Sequence, residues 1–215
     1  MKKLLFASIL LTFMATVANA QFFVGGSVGF SHSGGSIDNG TTEVDKVSTN
    51  NFEFAPKVGY ELSEVLEVGV QLAFSLDRTK TPGATETIDK ESGIALVPFA
   101  RYYAITMNKF ALGLEGRLGL GMSSQKTEAG GTTTDGPKNT SLSFNVAPGL
   151  FYHMSDRVTL EAVLGGLSLG YAYNVQKTEA GGVTTKNRSN SFGLGADLDN
   201  IFTTGFITVG AVIRF

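Results

Sequence analysis

Between Phe110 and Met122 the chain reads FALGLEGRLGLGM, and its apolar residues occupy alternate positions. Phe110, Leu112, Leu114, Leu118, Leu120 and Met122 share one parity, while Glu115 and Arg117 take the other. Successive side chains of a strand point to opposite faces, so this spacing builds a ribbon with one wholly apolar face. A slip of one residue would exchange the faces, so the charges pin the phase. The rule recurs along the chain. Phe52, Phe54, Pro56, Val58 and Tyr60 alternate with Glu53 and Lys57, and Leu66 to Leu76 alternate with Glu67, Gln71 and Ser75. Phe22, Val24, Val28 and Phe30 follow it near the start, Leu142 to Tyr152 later, and Ile207 to Phe215 at the end.

An apolar sheet face is covered either by a second sheet or by lipid. The connections favour lipid. Short links at 62–64, 105–109 and 153–157 alternate with long polar ones at 32–51, 77–92, 123–140 and 174–190. Tight turns at one end and long loops at the other are the pattern of outer-membrane barrels. A degenerate repeat points the same way: PKVGY ends at Tyr60, PFARY at Tyr102 and PGLFY at Tyr152. Each P-x-x-x-Y closes a strand before a short turn, which sets an aromatic at one depth, as an interfacial girdle requires. Proline removes a ladder donor, so the three predict a shared bulge or edge feature.

The first twenty residues, MKKLLFASILLTFMATVANA, carry a basic start, an apolar run and a small-residue site at Ala18-Asn19-Ala20. They read as a cleaved signal peptide over 1–20, leaving one domain over 21–215. The chain has no cysteine, which excludes a disulfide framework and a lipid-accepting thiol. With 17 basic against 19 acidic residues, and two of the lysines in the leader, no basic stripe is available for nucleic acid.

The signal, FFVGGSVGFSHS, APKVGYEL, VPFARYY, APGLFYHMSDRVTLEAVLGGLSLGY and the terminal Phe215 together resemble the small eight-stranded outer-membrane barrel family, the OmpA-like and OmpX-like transmembrane domains. The resemblance spans the mature chain. It implies an all-β, closed, antiparallel up-and-down transmembrane barrel of eight strands in a Gram-negative outer membrane. It also implies outer-membrane lipid as surroundings, delivery by the barrel-assembly machinery through the Phe215 ending, and a monomer. The peptidoglycan-binding module of full-length OmpA is not expected. Two departures concern phase: the alternation shifts at Gly165-Gly166 and again across DNIFTTG, so 190–215 is read as one broken strand, which keeps the count at eight.

A spanning sheet must close, because each unpaired backbone group in hydrocarbon costs several kcal/mol. An arginine on the lipid face costs roughly 2–4 kcal/mol, so Glu115 and Arg117 must point inward. The same argument sends Glu53, Lys57, Glu67, Gln71, Arg101, Glu161 and Arg214 into the lumen. An eight-stranded barrel is only wide enough for side chains to fill it. Lys57, Arg101 and Arg117 are therefore expected to pair with Glu67, Glu115 and Glu161, as a structural plug or a gate.

No His/Cys cluster or acidic loop has metal spacing, and no cofactor motif stands in its required context, so no metal or cofactor is expected. His32, between Ser31 and Ser33 at a strand–loop junction, is weighed as a base–nucleophile pair of a lipid-modifying enzyme and set aside in favour of a polar rim residue. His153 is expected in solvent at a short turn. QKTEAGG occurs at 125–131 and 176–182, and each copy is read as the cap of a projecting hairpin. The expected role is structural or surface-interacting, by adhesion or shielding through the long connections, which could hold an extracellular ligand. A narrow channel for ions or small solutes is the alternative, and an enzyme is not expected.

Overall fold

The computed structural model describes residues 22–38, 40–41, 43–164, 167–180, 182–196 and 207–215. The expected signal peptide lies outside them, as do Gly165-Gly166 and DNIFTTG. The strands are β1 (Phe22–Ser33), β2 (Ser36–Asp38), β3 (Glu43–Asp45), β4 (Ser48–Ser63), β5 (Leu66–Thr81), β6 (Thr87–Met107), β7 (Phe110–Ala129), β8 (Thr132–His153), β9 (Val158–Leu164), β10 (Leu167–Ala180), β11 (Val183–Ala196) and β12 (Ile207–Arg214).

Hydrogen bonding runs β8-β7-β6-β5-β4-β1-β12-β9, and β9 pairs back onto β8. That closes a ring of eight antiparallel strands. Closure removes the edges that neither lipid nor water could satisfy evenly. Beyond this ring β10 pairs with the outer part of β8, and β11 pairs with β10. The two phase shifts are visible here. Leu160 and Leu169 both face outward on opposite parities, on β9 and β10 of one interrupted stave, and Leu194 and Val209 do the same on β11 and β12.

The outer wall carries the apolar residues in cross-strand rows. Leu72, Leu96, Leu120 and Leu142 stand side by side on β5 to β8, all exposed to the surroundings of the barrel. The apolar stretch of each long strand is near the ~9–11 residues that a transmembrane strand needs. Yet β6, β7 and β8 are 21, 20 and 22 residues long. At ~3.3 Å per residue they rise far past a hydrocarbon core. The segments expected as loops at 77–92, 123–140 and 174–190 are thus mostly strand. They pair as antiparallel ribbons, with one register shift between Ser124 and Lys126, and close at 82–86, at 130–131 and between the paired Ala180 and Val183. The segment 32–51 differs in that β2 and β3 pair with each other as a small separate hairpin.

Both QKTEAGG copies end in such closures. Gly130 and Gly131 take φ of 56° and 77° between the paired Ala129 and Thr132. Positive φ at both central residues is the requirement of a type I′ turn, which suits the right-handed twist of the flanking strands.

The prolines form neither a bulge nor an edge. At Pro56 and Pro98 the ladder to the following strand skips residues and resumes in the same register, from Phe54↔Phe74 to Lys57↔Gln71 and from Leu96↔Leu120 to Phe99↔Arg117. A missing N–H leaves a gap that the other strand partner bridges. Pro148 sits where β8 changes partner between β10 and β9.

Candidate functional site: the lumen

Register explains how the interior is filled. One inward row runs Phe23, Gly59, Gly69, Phe99 across β1, β4, β5 and β6. A Cβ on Gly59 would lie 2.2 Å from Phe23 Cζ, and one on Gly69 would lie 2.5 Å from Phe99 Cζ. These glycines are the space into which the two phenyl rings fold. With Val212 the rings make one apolar layer, and Tyr103, Ala111 and Phe151 make a second.

Charge lies between these layers. The row Glu61, Glu67, Arg101, Glu115 alternates acid and base at its centre, so Arg101 has a carboxylate beside it on each neighbouring strand. Its guanidinium uses every N–H. Nε donates to Glu115 Oε2 at 2.9 Å, and Nη1 to Glu67 Oε2 at 2.9 Å and to Tyr103 Oη at 3.4 Å. Nη2 donates to Glu115 Oε2 at 2.6 Å and to Glu161 Oε2 at 2.8 Å. The plane also sits 4.2 Å from the centre of the Phe151 ring and 5.8 Å from that of Phe99.

Around this centre Lys57 pairs with Glu161, Arg214 with Glu67, and Arg117 with Glu115 at 2.5 Å. Arg214 also approaches Glu61 at 3.7 Å. Arg101 and Glu67 are 0% exposed and Glu115 is 1% exposed. Four cations thus face four carboxylates, and among the described residues no buried side-chain nitrogen or oxygen lacks a partner. A satisfied, neutral set is the arrangement that offsets the desolvation of buried ions.

All six residues expected at the lumen centre, Lys57, Glu67, Arg101, Glu115, Arg117 and Glu161, are brought together. Four participants are not in that set: Arg214, Glu61, Tyr103 and Thr159, which accepts from Arg214. Alternation past Tyr60 and Tyr102 points to Glu61 and Tyr103, whereas Thr159 has no charge to draw notice. His153 differs from its expectation of free solvation. Its Nδ1 lies 2.9 Å from Thr159 Oγ1 and its ring 6.3 Å from Tyr103, closing the lower end of the lumen.

Above the charged layer the interior changes. A cavity of about 600 Å³ is lined by Ser75, Ser123, Ser141, Ser189, Asn139, Asn174, Gln176 and Asn187, with Glu53 and Glu91. Gly93 and Gly121 leave room there for the Ser75 and Ser141 hydroxyls, each 2.6 Å from where a Cβ would stand. Ser123 Oγ and Gln125 Nε2 donate to the Glu91 carboxylate at 2.5 and 2.8 Å.

The residues expected at the girdle face outward near the short-turn end. Tyr102 is exposed, the Tyr152 ring lies 4.7 Å from Phe110, and Phe215 lies 6.4 Å from Phe22. His32 is exposed, with Nδ1 2.8 Å from Asn50 Oδ1. Strand alternation turns Ser31 and Ser33 to the face opposite His32, so the weighed His–Ser pair does not form. Among the described residues no cluster of metal-ligating side chains occurs, and no helix is long and apolar enough to cross a membrane.

The profile of the outer membrane protein beta-barrel domain matches residues 4–215. No curated protein matches the sequence. Solved structures similar to it include Neisserial surface protein A, at 17% identity over 90% of this chain and 97% of that one, with a TM-score of 0.37. Ail, the attachment invasion locus protein of Yersinia pestis, is 16% identical over 91% and 99%, with a TM-score of 0.39. A major outer membrane protein from Thermus thermophilus is 13% identical over 92% and 100%, with a TM-score of 0.49. The family profile covers nearly the whole sequence, and the chain belongs to the outer membrane protein beta-barrel domain family.

Proposed function

We propose that the protein is a monomeric outer-membrane anchor that presents long β-hairpins at the cell surface for adhesion or shielding. On this reading it is exported by a cleaved signal peptide and inserted by the barrel-assembly machinery. Tyr60, Tyr102, Tyr152 and Phe215 hold its depth in the inner-facing interface. The carrying observation is the contrast between a lower lumen filled by a neutral, fully paired charge set and strands that continue well beyond the apolar band. The paired set acts as a seal: opening it would leave several buried ions without partners, at about 3–5 kcal/mol for a single broken pair. With the lumen closed, the hairpins are the parts left to meet the surroundings.

The cavity of about 600 Å³ above the seal favours a second reading, a narrow path for small solutes or ions with the charged layer as its gate. Cells expressing the protein with both QKTEAGG hairpins trimmed test the first reading. Adhesion or aggregation should fall while the amount of folded barrel in the outer membrane stays the same. Unchanged adhesion would remove the hairpins from the function.

A further inference from the structure

The outer wall changes character in one step where the apolar band ends. Phe52, Leu76, Ser92 and Ser124 stand level on β4 to β7. Two residues further along, the level outward positions are His32, Asn50, Arg78, Lys90 and Lys126. Arg78 is directly opposite Lys90, and Lys90 directly opposite Lys126. Lys138, Lys177 and Lys186 make a second such run on β8, β10 and β11. All six cations are exposed.

Like charges directly opposed across a sheet destabilise it. The acids of the same ribbons are divided between the faces, and one of them, Asp135 on β8, stands level with Lys126 on the outer wall. Glu91 and Asp89 take alternate positions on the inner face, where they accept from Ser123, Gln125 and Thr127. The outward Glu128 lies nearer the hairpin tip than Lys126. Glu128 reaches Lys90 at 2.6 Å, and Asp135 reaches Lys126 only at 3.7 Å between two exposed side chains.

A groove of about 400 Å³ crosses the wall at this level. Phe30, Phe52 and Leu76 line it on the membrane side and Arg78, Lys90 and Lys126 on the outer side, and the Asp77 and Glu91 carboxylates also line it. The membrane side is continuous with the lipid-facing band, and opposed residues on the outer side are ~5 Å apart at Cβ, a spacing that one phosphate can bridge. We propose that this groove docks an outer-leaflet lipid, with its phosphate-bearing headgroup on Arg78, Lys90 and Lys126 and an acyl chain along Phe30, Phe52 and Leu76. The proposal rests on the membrane placement given under the proposed function.

The test uses the refolded full chain in phosphatidylcholine vesicles with and without phosphatidylglycerol. Association of each spin-labelled lipid and the temperature of the heat-induced mobility shift are measured for wild type and for Arg78→Gln/Lys90→Gln/Lys126→Gln. Wild type should prefer phosphatidylglycerol, by up to ~5-fold per cation, and gain heat resistance from it. The variant should lose both effects while being no less heat-resistant than wild type in phosphatidylcholine alone, because opposed charges have been removed. Lys90→Gln alone should show a partial loss, which guards against a triple variant that fails to fold. Equal association of both lipids with wild type, or an undiminished preference in the variants, would overturn the proposal. So would inorganic phosphate giving the same heat resistance in phosphatidylcholine, which would mark a free-anion site. Symmetric vesicles report on the groove whichever way the barrel inserts, so failure of the orientation appears separately, as hairpins sheltered from external protease on cells.

Discussion

The two halves of this lumen are built on one alternation and yet are opposite solutions to filling a narrow barrel. The lower half excludes water with phenyl rings laid over glycines and with a neutral ionic set whose buried nitrogens and oxygens all have partners. The upper half keeps a polar cavity, with serines and amides opposite glycines that leave its space open. The difference teaches where substitution should hurt. Below, each side chain is held by groups that cannot follow it out; above, water can replace what is lost.

The sharpest break is at Arg101. Arg101→Met leaves Glu67, Glu115 and Glu161 without their shared cation, and should cost about 3–5 kcal/mol in denaturant unfolding of the refolded barrel. Ser189→Ala in the upper cavity should stay within ~0.5 kcal/mol. Similar costs at the two sites would dissolve the distinction.

Glycine gives the next contrast. Gly59→Ala drives a methyl into the buried Phe23 ring and toward the Val68 carbonyl 2.7 Å away, an overpacking expected to cost about 1–3 kcal/mol. Gly193→Ala meets nothing within 4 Å and should be close to neutral in the same assay.

At the hairpin tip, replacing Gly130 and Gly131 by valine forces β-branched residues into positive φ, at roughly 1–2 kcal/mol each. The loss should be local. Amide exchange should quicken in 123–140 while the barrel midpoint holds, and a shifted midpoint would tie the ribbon to the barrel.

The smallest effect concerns pH. Asp77, just past the apolar band, is opposite Glu91 in the β5–β6 register. Burial, and after it the Glu91 charge, raises its pKa above the ordinary aspartate value. A raised carboxyl binds its proton more tightly in the fold. Its contribution is present below the unfolded pKa and is lost as pH rises through the folded one. Glu91→Gln should lower the Asp77 midpoint in an NMR titration, and an unmoved midpoint would leave burial as the sole cause.

Much of the lower half was legible in the sequence, because a membrane enforces phase. Glu115 and Arg117 cannot face lipid, and that constraint alone assigns every alternate residue of the strand. Partner choice was less legible. Lys57 and Glu161 are 104 positions apart and meet only after closure. The Glu67–Arg101–Glu115 ladder depends on registers set at two separate turns. The upper half was misread for a related reason. Once both faces of a ribbon are wet, Thr, Ser, Lys and Glu fill it without apolar alternation, so paired strands look like loops. The Gly130-Gly131 turn of the first QKTEAGG copy was the exception, since only its backbone geometry was needed to read it.

Conductance of the refolded wild-type protein in a planar bilayer tests the central claim most directly. A lower lumen sealed by the Arg101 network predicts a silent bilayer, although inserted protein is demonstrated by its heat-dependent mobility. Steady, ion-selective steps from the wild type would contradict the seal and make the charged layer a filter.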